Sequence, residues 1–213
     1  YDFVAAVFGD ATSPLLIGCD GTIFQSAPAN TLSFDSDAIA AYTTDGIGLV
    51  NDLVEKIGSF SNSSLLLLGA GGAANAVIPS ILSENISHLY LWNRTIQKSF
   101  DMAEIWNKSY KNISVMENVD LKKIDIVINA TSAGIDNTAP SPLCLNDSHR
   151  AVICYDMMYG RQTPFLTSAR DNNLTFFDGL GMLVKQAAAS FEIWHEQKVE
   201  SKSIEESLRS TLI

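Results

Sequence analysis

From residue 64 onward, short apolar runs alternate with longer segments of helical spacing. Residues 64–69, 88–93, 124–129, 151–156 and 174–177 have the length and β-rich content of strands. Between and after them, 72–84, 95–107, 163–172 and 179–197 place apolar residues at helical periodicity. The runs at 65–68 and 124–128 are almost unbroken, as parallel strands buried on both faces require. The alternation predicts an α/β fold built on an open, doubly wound parallel sheet.

Before residue 64 the pattern changes. Residues 3–8, 29–34 and 37–42 read as short strands, with Phe34-Asp35-Ser36-Asp37 turning the last two into a hairpin. A helix over 45–58 then runs into a polar linker at 59–63. So short a unit buries too little surface to stand as a domain with a full core. The final stretch, 203–213, opens with Ser and Glu and spaces Ile204, Leu208 and Leu212 helically, which predicts a docked helix. The expected division is an incomplete N-terminal α/β unit (1–58), the sheet domain (64–180) and C-terminal helices (181–213) that pack back on the first unit.

Composition narrows the function classes. Of 213 residues, 46% are hydrophobic and 18% charged, an ordinary globular balance. Fourteen Lys+Arg against 24 Asp+Glu give a net charge of −10. No basic block is present, which disfavours general nucleic-acid binding. No apolar run is long enough to span a bilayer. Cys19, Cys144 and Cys154 form neither a disulfide framework nor a zinc motif, and their apolar neighbours suggest buried free thiols. Asp2 stands where a signal peptide has its basic start, so a reducing, cytoplasmic setting is expected. His88, His149 and His195 lack metal-ligand spacing, and no metal is expected.

The strongest chemical signal is Gly69-Ala70-Gly71-Gly72-Ala73-Ala74. A strand precedes it, a helix follows, and a second strand ends about 20 residues on, the Rossmann-like context for a dinucleotide. Gly69 suits the tight turn, Gly71 close approach of a pyrophosphate, and Ala74 close helix–strand packing. The helix N-terminus adds amide donors and a favourable dipole. The second strand ends in Asn93-Arg94-Thr95, with Lys98 a helical turn on, where an NAD site usually has a carboxylate. Two cations and a hydroxyl suit a 2′-phosphate, so NADP is favoured. Asn129-Ala130-Thr131-Ser132-Ala133-Gly134, Tyr155-Asp156-Met157-Met158-Tyr159 and Asp178-Gly179-Leu180-Gly181 each follow a strand, at the edge that faces the ligand crevice.

Together with Asn30-Thr31-Leu32, Thr44-Asp45-Gly46-Ile47-Gly48, Thr163-Pro164-Phe165 and Gln186, these motifs resemble the shikimate dehydrogenase family, including the shikimate/quinate enzymes. The resemblance runs from about residue 29 to 211. It implies reversible NADPH-dependent reduction of 3-dehydroshikimate to shikimate, on the route to chorismate and aromatic amino acids. It implies that Gly69, Ala70, Gly71, Gly72 and Ala73 bind the pyrophosphate, and Asn93, Arg94, Thr95 and Lys98 the adenosine 2′-phosphate end. Ser132, Met157 and Gly179 would surround the nicotinamide half. Ser13, Asn30, Asp45, Tyr159 and Gln186 would hold the polyol acid, and Asp45 would serve as the catalytic carboxylate. As an alternative role, Asp45 or Thr44 could cap the following helix. The expected assembly is a monomer or homodimer.

The chain departs from the family at three points. Phe8-Gly9-Asp10-Ala11-Thr12-Ser13-Pro14 keeps one serine of the Ser-x-Ser-Pro loop, with Ala11 at the other position. The Asn-Val-Thr-x-Pro-x-Lys stretch that carries the family's catalytic lysine has no counterpart before Asn30. Thr43 replaces the Asn that normally precedes Thr-Asp-Gly. A catalytically impaired NADP(H)-binding homologue acting as a sensor or interaction module therefore stays open. So does a quinate dehydrogenase, although Arg94 and Lys98 argue against the NAD that it more often uses.

Overall fold

The computed structural model describes residues 16–17, 23–24, 29–35, 38–133, 140–145 and 152–212. In chain order the elements are β1 (Leu16–Ile17), β2 (Ile23–Phe24), β3 (Thr31–Asp35), β4 (Ala38–Tyr42), α1 (Asp45–Ile57), β5 (Ser64–Leu68), α2 (Gly72–Ser83), β6 (His88–Trp92), α3 (Ile96–Trp106), β7 (Ile113–Val115) and a 3₁₀ turn, Leu121–Lys123. There follow β8 (Ile126–Asn129), β9 (Ile153–Asp156), α4 (Pro164–Asp171), β10 (Thr175–Phe177), α5 (Leu180–His195) and α6 (Ser201–Leu212).

The four leucines of β5 settle the architecture. All are fully buried, yet they alternate: Leu65 and Leu67 enter one core, Leu66 and Leu68 the other. Strand side chains point to opposite faces by turns, so a run with no polar position demands cover on both sides. The first core takes Leu49 and Leu53 of α1, Val77 and Ile81 of α2, Trp106 of α3 and Met182 of α5. The second takes Phe165, Leu166 and Ala169 of α4 with Leu121, Ile124 and Leu145. The strands lie in the order β10–β9–β8–β5–β6–β7, every neighbouring pair parallel. The order reverses between β5 and β8, which places a ligand crevice at the carboxyl ends there.

β3 and β4 form the expected antiparallel hairpin, in register from Thr31↔Tyr42 to Asp35↔Ala38; Ser36 and Asp37 of its turn lie outside the described residues. The strand expected at 3–8 also lies outside them. Three strands go beyond the sequence pattern: the antiparallel pair β1–β2, and the edge strand β7, too short to show a period. The polar linker hides an anchor, Phe60, 2% exposed in the first core.

The C-terminal helix forms as expected but docks by another face. Ile204 and Leu208 are exposed, while Glu205 is buried. The helix is held by charge instead of by its apolar stripe. Its start is fixed by Glu200, whose carboxylate accepts from the Lys202 and Ser203 amides at 3.0 and 2.9 Å. The cysteine expectation is corrected at Cys144, a free thiol that is exposed; Cys154 is buried, and burial pushes its thiol up to about 12.

Candidate active site

The glycine turn follows its backbone chemistry. Gly69 has φ +108°, and a Cβ there would stand 3.0 Å from the Ala130 carbonyl oxygen. Its amide donates to the Trp92 carbonyl at 2.8 Å, which ties the turn to the end of β6. Gly71, at the N-cap of α2, has open space where a Cβ would be, and no side chain caps the helix. Gly71, Gly72 and Ala73 are exposed whereas Ala74 is fully buried against the sheet. An open helix N-terminus with uncapped amides and no acidic residue in its first turn fits a pyrophosphate.

At the end of β6, Asn93 Nδ2 donates to the Thr95 carbonyl at 2.9 Å and shapes the turn into α3. Arg94, Thr95 and Lys98 are exposed, and among the described residues neither cation has an ion-pair partner. No side chain caps α3 either. Two unanswered cations at a helix start fit the dianionic 2′-phosphate, with no carboxylate beside them to repel it.

Beyond β8, buried Asn129 accepts from the Thr131 amide and hydroxyl at 3.1 and 2.7 Å, and so turns the chain toward exposed Ser132. At the end of β9, Asp156 accepts from the Met158 amide at 3.0 Å and from Thr163 Oγ1 at 2.6 Å. Burial raises the Asp156 carboxyl pKa, against which those hydrogen bonds and Asn129 act. Thr163 also caps α4 through the Leu166 amide, with Pro164 at the first helical position. Met157 and Gly179 are brought together: a Cβ on Gly179 would collide with the Met157 carbonyl, and the Gly179 amide donates to Met158 O at 2.9 Å.

Of the residues expected to hold the polyol, Asn30 and Asp45 meet directly, Asn30 Nδ2 donating to Asp45 Oδ1 at 2.7 Å. Asp45 is the first residue of α1, not its cap; Thr44 holds the cap position but makes no capping hydrogen bond. Burial raises the Asp45 carboxyl pKa, and the Asn30 hydrogen bond pulls it part of the way back. Two glycines let α1 sit close: a Cβ on Gly46 would strike Ser80 of α2, and one on Gly48 would lie 2.7 Å from Met182 O and 2.8 Å from Gln186 Cβ of α5. Gln186 Oε1 and Thr43 Oγ1 are buried with no hydrogen-bond partner among the described residues, two polar atoms fit to receive a hydroxylated ligand. Tyr159 is 46% exposed at the end of the β9 loop, and no hydrogen bond joins it to Asn30 or Asp45. Ser13 and Ala11 lie outside the described residues.

Spacing alone did not reveal an ionic cluster centred on buried Asp52, Lys185 and Glu205. Tyr155 Oη donates to Asp52 Oδ2 at 2.7 Å, and Lys185 Nζ reaches Asp52, Glu55 and Glu205 at 3.0, 3.1 and 3.3 Å. Glu205 also pairs with Lys56 and Arg209, each at 2.9 Å, and Arg209 with Asp178 at 2.8 Å. The cluster joins α1, α5, α6 and the residue before Gly179.

The chain is similar to known proteins over most of its length. Residues 52–138 match the family described as Shikimate / quinate 5-dehydrogenase, and 179–209 the Shikimate 5'-dehydrogenase C-terminal domain. A relative from Vesicomyosocius okutanii named shikimate dehydrogenase (NADP(+)) is 40% identical over 183 residues, 84% of this chain and 68% of its own. The crystal structure of shikimate dehydrogenase from Aquifex aeolicus superposes with TM-score 0.76 at 30% identity, covering 85% of this chain and 66% of that one. The Thermus thermophilus enzyme, in complex with NADP(H) and shikimate, gives 0.71 at 28% identity, covering 86% and 68%. The chain thus spans about two thirds of the length of these proteins.

Proposed function

The chain belongs to the shikimate dehydrogenase family, and on that premise we propose that it catalyses the reversible NADPH-dependent reduction of 3-dehydroshikimate to shikimate. The observation that carries this is the pairing of an open glycine turn and two cations, Arg94 and Lys98, that have no ion-pair partner among the described residues, with the hydrogen bond from Asn30 to Asp45 at the start of α1. In the proposed roles Gly69, Ala70, Gly71, Gly72 and Ala73 hold the pyrophosphate, and Asn93, Arg94, Thr95 and Lys98 the 2′-phosphate. Ser132, Met157 and Gly179 border the nicotinamide half. Ser13, Asn30, Asp45, Tyr159 and Gln186 hold the polyol acid.

NADPH, when bound, supplies hydride to the ring carbonyl carbon. The protein must deliver a proton to the oxygen and take one back in reverse. Asp45 is suited to this proton transfer, because burial makes its carboxyl hold a proton more readily than in water and Asn30 occupies only Oδ1. Oδ2 is left for the substrate hydroxyl. The close packing of α1 on α5, where Gly48 meets Met182 and Gln186, supports a division into a substrate unit (1–58), a cofactor domain (64–180) and helices (181–213) that return to the first unit. The free thiols of Cys144 and Cys154 support a reducing, cytoplasmic setting.

One observation favours a second reading. Residues 1–44 hold neither Lys nor Arg to act as the family's lysine ammonium. A chain without that ammonium would bind NADP(H) and turn over poorly or not at all. The deciding assay is NADP⁺ reduction with shikimate and quinate in parallel, with NAD⁺ as control. Turnover with shikimate and NADP⁺ establishes the enzyme; intact NADPH binding without turnover leaves the binding module.

A further inference from the structure

The hydroxyl of Ser190 sits where three elements meet. It lies on α5 one turn after Gln186, 9% exposed, and donates to the Gln186 backbone carbonyl at 3.0 Å. Its oxygen is 2.6 Å from Thr31 Oγ1, at the start of β3, and 3.1 Å from Thr44 Oγ1, before α1. Thr31 and Thr44 are themselves buried.

A hydroxyl has one proton to give. One arrangement uses every donor in the group: Ser190 donates to Gln186, and both threonines donate to Ser190. Thr44 Oγ1 is then free to accept from Asn30 Nδ2 at 2.9 Å, and the second amide proton of Asn30 goes to Asp45 Oδ1 at 2.7 Å. Asn30 Oδ1 accepts from the Thr44 backbone amide at 3.0 Å, which fixes the end of the side chain that faces Asp45. Ser190 therefore terminates a chain of hydrogen bonds that begins at the carboxylate.

We propose that Ser190 is a positioning residue for substrate binding, orienting Asn30 toward Asp45 through Thr44 while tying both to the turn of α5 that carries Gln186. The inference rests on the substrate site proposed above. In Ser190→Ala the two threonine hydroxyls lose their shared acceptor. They turn instead to Asn30 Oδ1, which lies 3.0 Å from Thr31 Oγ1 and 3.2 Å from Thr44 Oγ1. Thr44 cannot both donate to that oxygen and accept from the nitrogen of the same amide in good geometry, so Asn30 loosens its hold on Asp45.

The test compares wild type, Ser190→Ala, Ser190→Thr and Thr44→Val by steady-state kinetics and by a ¹³C NMR titration of the Asp45 carboxyl, assigned with Asp45→Asn. Burial raises the Asp45 titration and the Asn30 hydrogen bond lowers it, and among the described residues Asp45 has no ion-pair partner, so a change between variants of equal burial reads that hydrogen bond. For Ser190→Ala, KM for shikimate rises about tenfold, the scale of one lost charge-assisted hydrogen bond. KM for NADP⁺ stays within twofold, and the Asp45 titration moves to higher pH. Ser190→Thr, which keeps the hydroxyl, restores both. Thr44→Val, which removes the acceptor of Asn30 Nδ2, shifts them in the same direction and serves if Ser190→Ala does not fold. An unmoved Asp45 titration in Ser190→Ala, or equal rises in both KM values, overturns the proposal. Absence of wild-type turnover sinks the proposed activity alone, because the NMR titration still decides the part played by Ser190.

Discussion

Asp45 stands between two opposed influences. Burial disfavours its charge, whereas Asn30 and the first turn of α1 favour it. Because burial wins and its pKa is raised, the stability this group contributes is fully present below the ordinary value of 3.8 and is lost as pH rises through the folded value. Asp45→Asn keeps the shape and an acceptor for Asn30 but removes that loss. The expected result is turnover down by roughly 10²–10⁴-fold, with urea stability at pH 7 equal to wild type or higher. Arg94→Ala should raise KM for NADP⁺ by about 10–100-fold, the worth of one or two charge-assisted hydrogen bonds. KM for NAD⁺ should hardly change, and parallel kinetics with both cofactors would show it.

Among the elements, α6 shows what periodicity reports and what it omits. Its apolar stripe at Ile204 and Leu208 is real, and it announced a helix. The stripe cannot say which face docks, because that depends on Lys56 and Lys185, far off in the chain, meeting Glu205. Tyr155 and Asp52 are likewise joined by folding alone, and Ser190 with Thr31 and Thr44 the same way. The Gly69 turn, the leucines of β5 and the cations after β6 were legible because their constraint is local: a positive φ, burial on two faces, an uncapped helix start. Short β7 offered no period to detect. Glu205 gives the element its own test. Nearby Lys56, Arg209 and Lys185 outweigh burial and hold its carboxyl down at about 2, so its contribution is present above the ordinary 4.5 and is lost as pH falls toward 2. Glu205→Gln, which leaves Lys185 short of a buried partner, should destabilise the fold by about 3 kcal/mol. Urea unfolding at pH 6 and pH 3 should show the gap between variant and wild type narrowing in acid.

Over the whole molecule, Arg94 and Lys98 form a small cationic shore on a chain of net charge −10. In the proposed role, their attraction of the 2′-phosphate is therefore local and exposed to screening. Raising salt from about 0.05 M to about 0.5 M should weaken NADP⁺ more than NAD⁺ in a fluorescence titration. NADP⁺ at a hundred times its Kd should also stabilise the fold by about 2.7 kcal/mol, visible as a higher unfolding temperature. The charge-docked α6 carries a different consequence, for life in the heat. Apolar contacts gain little as a solution warms, whereas the penalty for stripping water from ions falls. The Glu205 cluster should thus grip relatively better at high temperature than an apolar seam would. Warming should therefore cost the attachment of α6 less than its exposed Ile204 and Leu208 would lead one to expect.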